Sequence, residues 1–154
     1  MQTSRCIAFL MVGLACCSCL VSRSEEHLIP DGFVGRVLIL YDDPQGVPMR
    51  VKDGAISYAI PPNGILRING HKDSGWRRIR YFYVGRDGQR KQLQATGADS
   101  DFGIFNDVSG TDFHNNVAIR YRTYLVGSPD MKQKSETIEG AIKRALSGAS
   151  QESH

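Results

Sequence analysis

The chain has 154 residues, 41% of them hydrophobic and 23% charged, with 16 glycines and 6 prolines. That is the length of one domain with ordinary globular usage, and it excludes collagen-like, coiled-coil and extensively disordered classes. The formal net charge of +3 is too small to argue for nucleic acid as a partner.

All four cysteines, Cys6, Cys16, Cys17 and Cys19, lie in the first 19 residues. The rest of the chain has no disulfide or thiolate metal site to lean on, so its stability must come from its core. Met1 to Arg5 is a short polar start with one positive charge, and Cys6 to Ala15 is an apolar run. Small residues and cysteines follow, then a polar stretch from Ser22 to His27. This is the order of a secretory signal. The whole apolar stretch, Cys6 to Val21, falls short of the roughly 20 residues a membrane-spanning helix needs.

Leu14-Ala15-Cys16-Cys17 resembles the lipobox of bacterial lipoproteins: an aliphatic residue, two small residues, then the cysteine that takes the lipid. Three of the four positions match, and Cys16 stands where Gly, Ala or Ser is usual. Cys17 is the favoured acceptor, with Cys16 and Cys19 as alternatives. The resemblance implies export and stable anchoring, because it places more than one buried acyl chain on the N-terminus. Residues 1–22 are assigned to the signal segment with its lipobox-like cysteines, and 23–27 to a short tether.

The domain proper is expected over 28–127. Phe33 to Tyr41 reads as a strand buried on both sides, with Val37, Ile39 and Tyr41 on one face and Leu38 and Leu40 on the other. Asp42-Asp43-Pro44-Gln45-Gly46 is a turn signal. Val47 to Lys52 is a second short strand, placed at an edge by Pro48. Ala55 to Ile60 and Ile65 to Ile68 are the next two, separated by Pro61-Pro62-Asn63-Gly64. Trp76 to Val84 and Gln89 to Ala95 form a hairpin across Gly85-Arg86-Asp87-Gly88. Thr96 to His114, rich in Gly, Asp, Asn and Ser, reads as a long loop with at most one short strand. Val117 to Val126 is a strand with Val117, Ile119, Tyr121 and Leu125 on one face and Arg120 and Arg122 on the other.

Ser128-Pro129-Asp130 has the form of a helix start. Ile138, Ala141, Ile142, Ala145 and Leu146 follow helical spacing in a single apolar stripe. The helix is expected over 128–148, with a disordered tail at 149–154. Its stripe needs a partner, either the domain's own flank or another protein. Short strands at about ten-residue spacing predict a mainly β fold, a single β-sandwich of prealbumin-like or Ig-like type, with one C-terminal α-helix.

Few residues carry chemistry. Trp76, Arg78 and Arg80, in a basic and aromatic strand, form one possible binding surface. Asp101 and His114, in the long loop, form another. The alternation of a strand keeps Arg77 off the face shared by Arg78 and Arg80. His27, His71, His114 and His154 have no metal-ligand spacing and read as surface or loop residues. Asp99, Asp101, Asp107 and Asp112 lack the order of an EF-hand. No P-loop, G-x-G-x-x-G, H-E-x-x-H or G-x-S-x-G occurs. No catalytic residue, metal or cofactor is assigned.

Leu28-Ile29-Pro30-Asp31-Gly32-Phe33-Val34-Gly35, Tyr58-Ala59-Ile60-Pro61-Pro62-Asn63-Gly64-Ile65-Leu66 and Tyr124-Leu125-Val126-Gly127 occur in that order. This resembles a bacterial family of short lipoprotein-like domains of unknown function, over about residues 27 to 130. The resemblance implies a compact exported domain and supplies no catalytic residues. The expectation is a membrane-anchored lipoprotein of the cell envelope, on its periplasmic or surface side. It would be a non-catalytic binding or structural module that meets the membrane through its lipid and an envelope protein or ligand through its domain. The alternative is a secreted or periplasmic enzyme or inhibitor working through the 96–114 loop.

Overall fold

A computed structural model describes residues 24–52, 54–72, 75, 77–95, 101–131 and 136–148. The expected signal segment, with Cys16, Cys17 and Cys19, and the expected tail at 149–154 lie outside the described residues.

The described chain forms ten strands and one helix. The strands are β1 (Ser24–Pro30), β2 (Gly35–Leu40), β3 (Val47–Pro48), β4 (Arg50–Lys52), β5 (Ala55–Ala59), β6 (Ile65–Asn69), β7 (Arg78–Val84), β8 (Arg90–Leu93), β9 (Gly103–His114) and β10 (Val117–Gly127). The helix is α1 (Ile138–Gly148). Two five-stranded sheets result, ordered β4-β5-β1-β7-β8 and β3-β6-β2-β10-β9. Both are mixed: β1 runs parallel to β5 and β7, while β2 is parallel to β6 and antiparallel to β10. The expected sandwich with one C-terminal helix is what the chain builds.

Its core lies between the sheets. Ile29, Val37, Ile39, Tyr58, Tyr124 and Val126 are each at most 1% exposed there. The two-faced reading of β2 holds: Val37 and Ile39 point into that core, while Leu38 and Leu40 join a second cluster with Ala141, Ile142 and Ala145 of α1. The helix therefore covers the outer face of the second sheet, and its stripe packs on its own domain. Thr137 caps it by accepting from the Gly140 amide at 3.1 Å. Arg36 ties its start to the sheet, donating to the Glu136 carbonyl at 2.9 Å and to Thr123 Oγ1 at 3.2 Å. Ser128 is not the cap of α1. It stands in a turn, where its carbonyl accepts from the Met131 amide.

Tight turns fix the changes of direction. Gly88, at φ 79°, closes the β7–β8 hairpin. Gly64 has φ 76°, and a Cβ on it would stand 2.5 Å from the Arg36 carbonyl oxygen, so both conformation and space demand glycine. The segment 47–52 divides between sheets: Val47–Pro48 pairs with β6 and Arg50–Lys52 with β5. Pro48 sits on an edge, where its missing N–H costs no ladder bond.

Two expectations are corrected. The tether expected over 23–27 is, from Ser24 on, the central strand of the first sheet, with Glu25, His27 and Ile29 buried at 3%, 0% and 0% exposure. The loop expected over 96–114 becomes, from Gly103, a twelve-residue strand. It is an edge strand with a largely exposed surface, so backbone pairing to β10 makes it a strand while its hydrophobic pattern stays silent. On β10 the face that carries Arg122 turns inward beside Tyr124, and Arg122 is 6% exposed.

Candidate functional site

The polar side chains that the fold gathers lie in the core between the sheets. β1 supplies Glu25 and His27, β7 supplies Tyr81, β9 Asp107, and β10 Arg122 and Tyr124. Residues two apart on a strand share a face. Glu25 and His27 therefore both point inward with Ile29, and Arg122 points inward with Tyr124.

His27 is the hinge of the network. Its Nε2 lies 2.9 Å from Glu25 Oε1 and its Nδ1 3.0 Å from the Tyr124 hydroxyl. The rings of Tyr58, Tyr81 and Tyr124 surround it at centroid distances of 5.1, 4.9 and 5.3 Å. Burial pushes its pKa below the usual histidine value, and the Arg122 charge pushes the same way against the Glu25 hydrogen bond. A neutral imidazole satisfies both contacts in one tautomer: Nε2–H donates to Glu25, and Nδ1 accepts from Tyr124.

Arg122 is held between two carboxylates. Its Nη1 donates to Glu25 Oε1 at 2.9 Å, its Nε to Asp107 Oδ1 at 2.8 Å, and its Nη2 to Asp107 Oδ2. The Tyr81 hydroxyl also donates to Asp107. Burial alone would raise the carboxyl of Glu25, but the hydrogen bond from His27 and the Arg122 charge hold it below the ordinary value. Asp107 is lowered in the same way by Arg122 and Tyr81. Both carboxylates are therefore ionised at neutral pH. Tyr81 and Tyr124 are pushed up chiefly by burial and stay protonated.

The network opens to solvent on the β9 side, where the Asp107 side chain is 26% exposed. There Lys72 donates to Ser109 and stands 5.8 Å over the Tyr41 ring. Glu25, His27 and Tyr124 lie behind, at no more than 3% exposure, where a ligand from solvent has no access. The geometry cross-links the two sheets: β1 and β7 on one side are joined to β9 and β10 on the other through charge-assisted bonds. Sequence reading missed this cluster. Its one signal is the alternation Glu25-x-His27-x-Ile29 feeding straight into a Pro-Asp-Gly turn.

The residues singled out from sequence are dispersed. Trp76 lies outside the described residues. Arg78 and Arg80 share the outer face of the first sheet, where Arg80 pairs with Glu26 at 2.6 Å. Asp101 precedes β9 and His114 ends it, so the two stand more than about 30 Å apart along an extended strand. They form no joint site. His114 lines a groove of about 560 Å³ between the β9–β10 turn and the end of α1, with Val117, Ile119, Arg67, Lys143 and Leu146. Of the four histidines read as surface or loop residues, His27 is instead fully buried, while the His71 side chain is 64% exposed and pairs with Asp42. His154 lies outside the described residues. Among the described residues, no group of three or more His, Cys, Asp or Glu side chains comes together to hold a metal ion. No described helix is long and apolar enough to cross a membrane.

The fold has a counterpart among solved structures. A crystal structure of a candidate lipoprotein from Bacillus anthracis is similar at a TM-score of 0.64, with 16% sequence identity over 86% of this chain and 96% of that chain. At that identity the likeness concerns the fold. No curated protein matches the chain significantly. A family profile matches residues 22–136, most of the chain and nearly all of its two sheets, and the chain belongs to that family, DUF6843, a family of unknown function.

Proposed function

We propose that this chain is a lipoprotein of the bacterial envelope. In this reading Cys17 carries the lipid and the sandwich is a non-catalytic binding or structural module held at the membrane surface. The observation that carries the reading is the placement of cysteine. All four cysteines precede residue 20, three of them, Cys16, Cys17 and Cys19, at the end of an apolar run behind a positive charge, and the chain from Ser24 onward contains none. A cysteine at that point of a signal segment is where lipid attachment takes place. The fold shared with a Bacillus anthracis candidate lipoprotein supports the same reading. So does the burial of Glu25, His27 and Tyr124 within the charged network between the sheets, where they serve the packing of the two sheets rather than a solvent-borne substrate.

The test is metabolic labelling of the full chain in a bacterial host with an alkyne-bearing fatty acid, followed by cell fractionation. The wild type should carry label and sediment with membranes, and Cys17→Ser should lose both. Label retained by Cys17→Ser but lost by Cys16→Ser or Cys19→Ser would move the acceptor. An unlabelled, soluble wild type would remove the anchor.

A further inference from the structure

The two outer faces of the sandwich differ. That of the second sheet is covered by α1. That of the first sheet has no helix over it among the described residues, and its charge is one-sided. The register places Lys52, Ala55, Ser24 and Arg78 side by side in one row, and Arg50, Ser57, Glu26 and Arg80 in the next. Arg90 of β8 reaches the same face, donating to Glu26 at 3.0 Å. Five cationic side chains thus share one open face with a single strand-borne carboxylate. The guanidinium groups of Arg80 and Arg90 each stand 5.9 Å from the centre of the Phe82 ring and both pair with Glu26, which leaves Arg50, Lys52 and Arg78, all exposed, as the cations of this face that are not paired to it.

The charge is also placed where the chain comes from the anchor. β1 begins at Ser24, between Lys52 and Arg78 in that first row. From Cys17 to Ser24 an extended chain spans at most about 25 Å. A short connection keeps this end of the domain close to the bilayer, and the first row lies nearest to it. A basic surface within about 8 Å of an anionic one is attracted despite physiological salt.

We propose that the outer face of the β4-β5-β1-β7-β8 sheet docks on the membrane itself, binding the phosphate headgroups of anionic phospholipids. This rests on the anchoring reading for the short connection, and on the structure alone for the charged face. It lays the sandwich flat on the bilayer and turns α1 and the groove beside His114 toward the opposite side.

The test uses the full chain with a fluorescent amino acid in place of Ala59, on the proposed face, or of Glu139, exposed on α1. Each protein is mixed with vesicles of phosphatidylcholine alone or of equal parts phosphatidylcholine and phosphatidylglycerol, and quenching by acrylamide is measured. Each basic side chain near an anionic surface contributes roughly fivefold to partitioning. The position 59 probe should be shielded in the phosphatidylglycerol vesicles, and the position 139 probe should not. High salt should abolish the shielding, as should the triple change Arg50→Glu, Lys52→Glu and Arg78→Glu, which weakens docking by more than about a hundredfold. Equal quenching of the two probes, or shielding that persists in pure phosphatidylcholine or in the triple variant, would overturn the proposal. The intact mass of the same preparations reads anchoring separately. An acylated protein with an unshielded face refutes this inference alone, and an unacylated protein with a shielded face refutes the anchor alone.

Discussion

His27 sets a measurable pH dependence on the stability of the fold. Its folded pKa lies below the free value of 6.5 because a fully buried imidazole beside Arg122 resists a second proton. The unfolded chain takes that proton up as pH falls through 6.5, while the folded chain takes it up only at lower pH. A depressed folded pKa therefore contributes stability that is complete above 6.5 and declines below it. Linkage sets the slope at about 1.4 kcal/mol per pH unit for one such group. Between pH 7.5 and 5.0 the unfolded-state titration caps the loss at about 2 kcal/mol, or roughly 8 °C in Tm for a domain of this size. Glu25 and Asp107, lowered from 4.5 and 3.8, bring their own losses mainly at more acid pH, which leaves this window to the histidine. The assay is urea unfolding followed by circular dichroism at half-unit pH steps, on the wild type and on His27→Gln. Glutamine still donates to Glu25 but does not titrate. The variant should start less stable at pH 7.5 and show a much flatter profile down to pH 5. A wild type whose stability holds constant or rises on acidification, or a variant with the same slope, would refute a neutral, buried His27.

Arg122→Ala should cost about 3–5 kcal/mol in chemical unfolding, because it leaves Glu25 charged and unpaired in the core, whereas the double change Glu25→Gln with Arg122→Met should recover part of that loss. Ile142→Ala, at 3% exposure under the second sheet, should cost about 2–4 kcal/mol by equilibrium denaturation. If that change proves neutral, α1 does not pack where it is described. Gly64→Ala should destabilise by about 2 kcal/mol or more, read as a fall in thermal midpoint, since the added Cβ meets a backbone oxygen in a left-handed conformation.

What the sequence made legible follows from where burial is apolar. β2 announced both of its faces because each meets a hydrophobic layer, Val37 and Ile39 toward the core and Leu38 and Leu40 toward α1. The β7–β8 hairpin followed from Gly85-Arg86-Asp87-Gly88, whose backbone needs are local. The stripe on α1 was visible for the same reason as β2. β1 was not legible as a strand at its polar start, because Glu25 and His27 are inward residues satisfied by groups 97 positions away on β10. Alternation of polar residues gives no periodic hydrophobic signal, so a cross-linked core strand looks like a solvated tether. Arg122 gave no sign of its burial for the same reason, since its carboxylate partners lie on β1 and β9, far from it in sequence. β9 failed for the opposite reason: its strand character lies in backbone bonds to β10, with little burial to mark it.

The parallel pairing of β1 with both β5 and β7 also has consequences for the reading of function. It makes the residues from Ser24 onward the middle of a sheet. Whatever is attached near Cys17 is thus coupled within a few residues to the rigid body of the domain.

The most direct test of the central claim is the intact mass and N-terminal peptide of the mature protein, purified from the membranes of a bacterial host expressing the full chain. The expected product is a chain beginning at Cys17 and carrying the mass of a diacylglycerol. A mature chain recovered from the soluble fraction, beginning elsewhere and bearing no acyl mass, would contradict it.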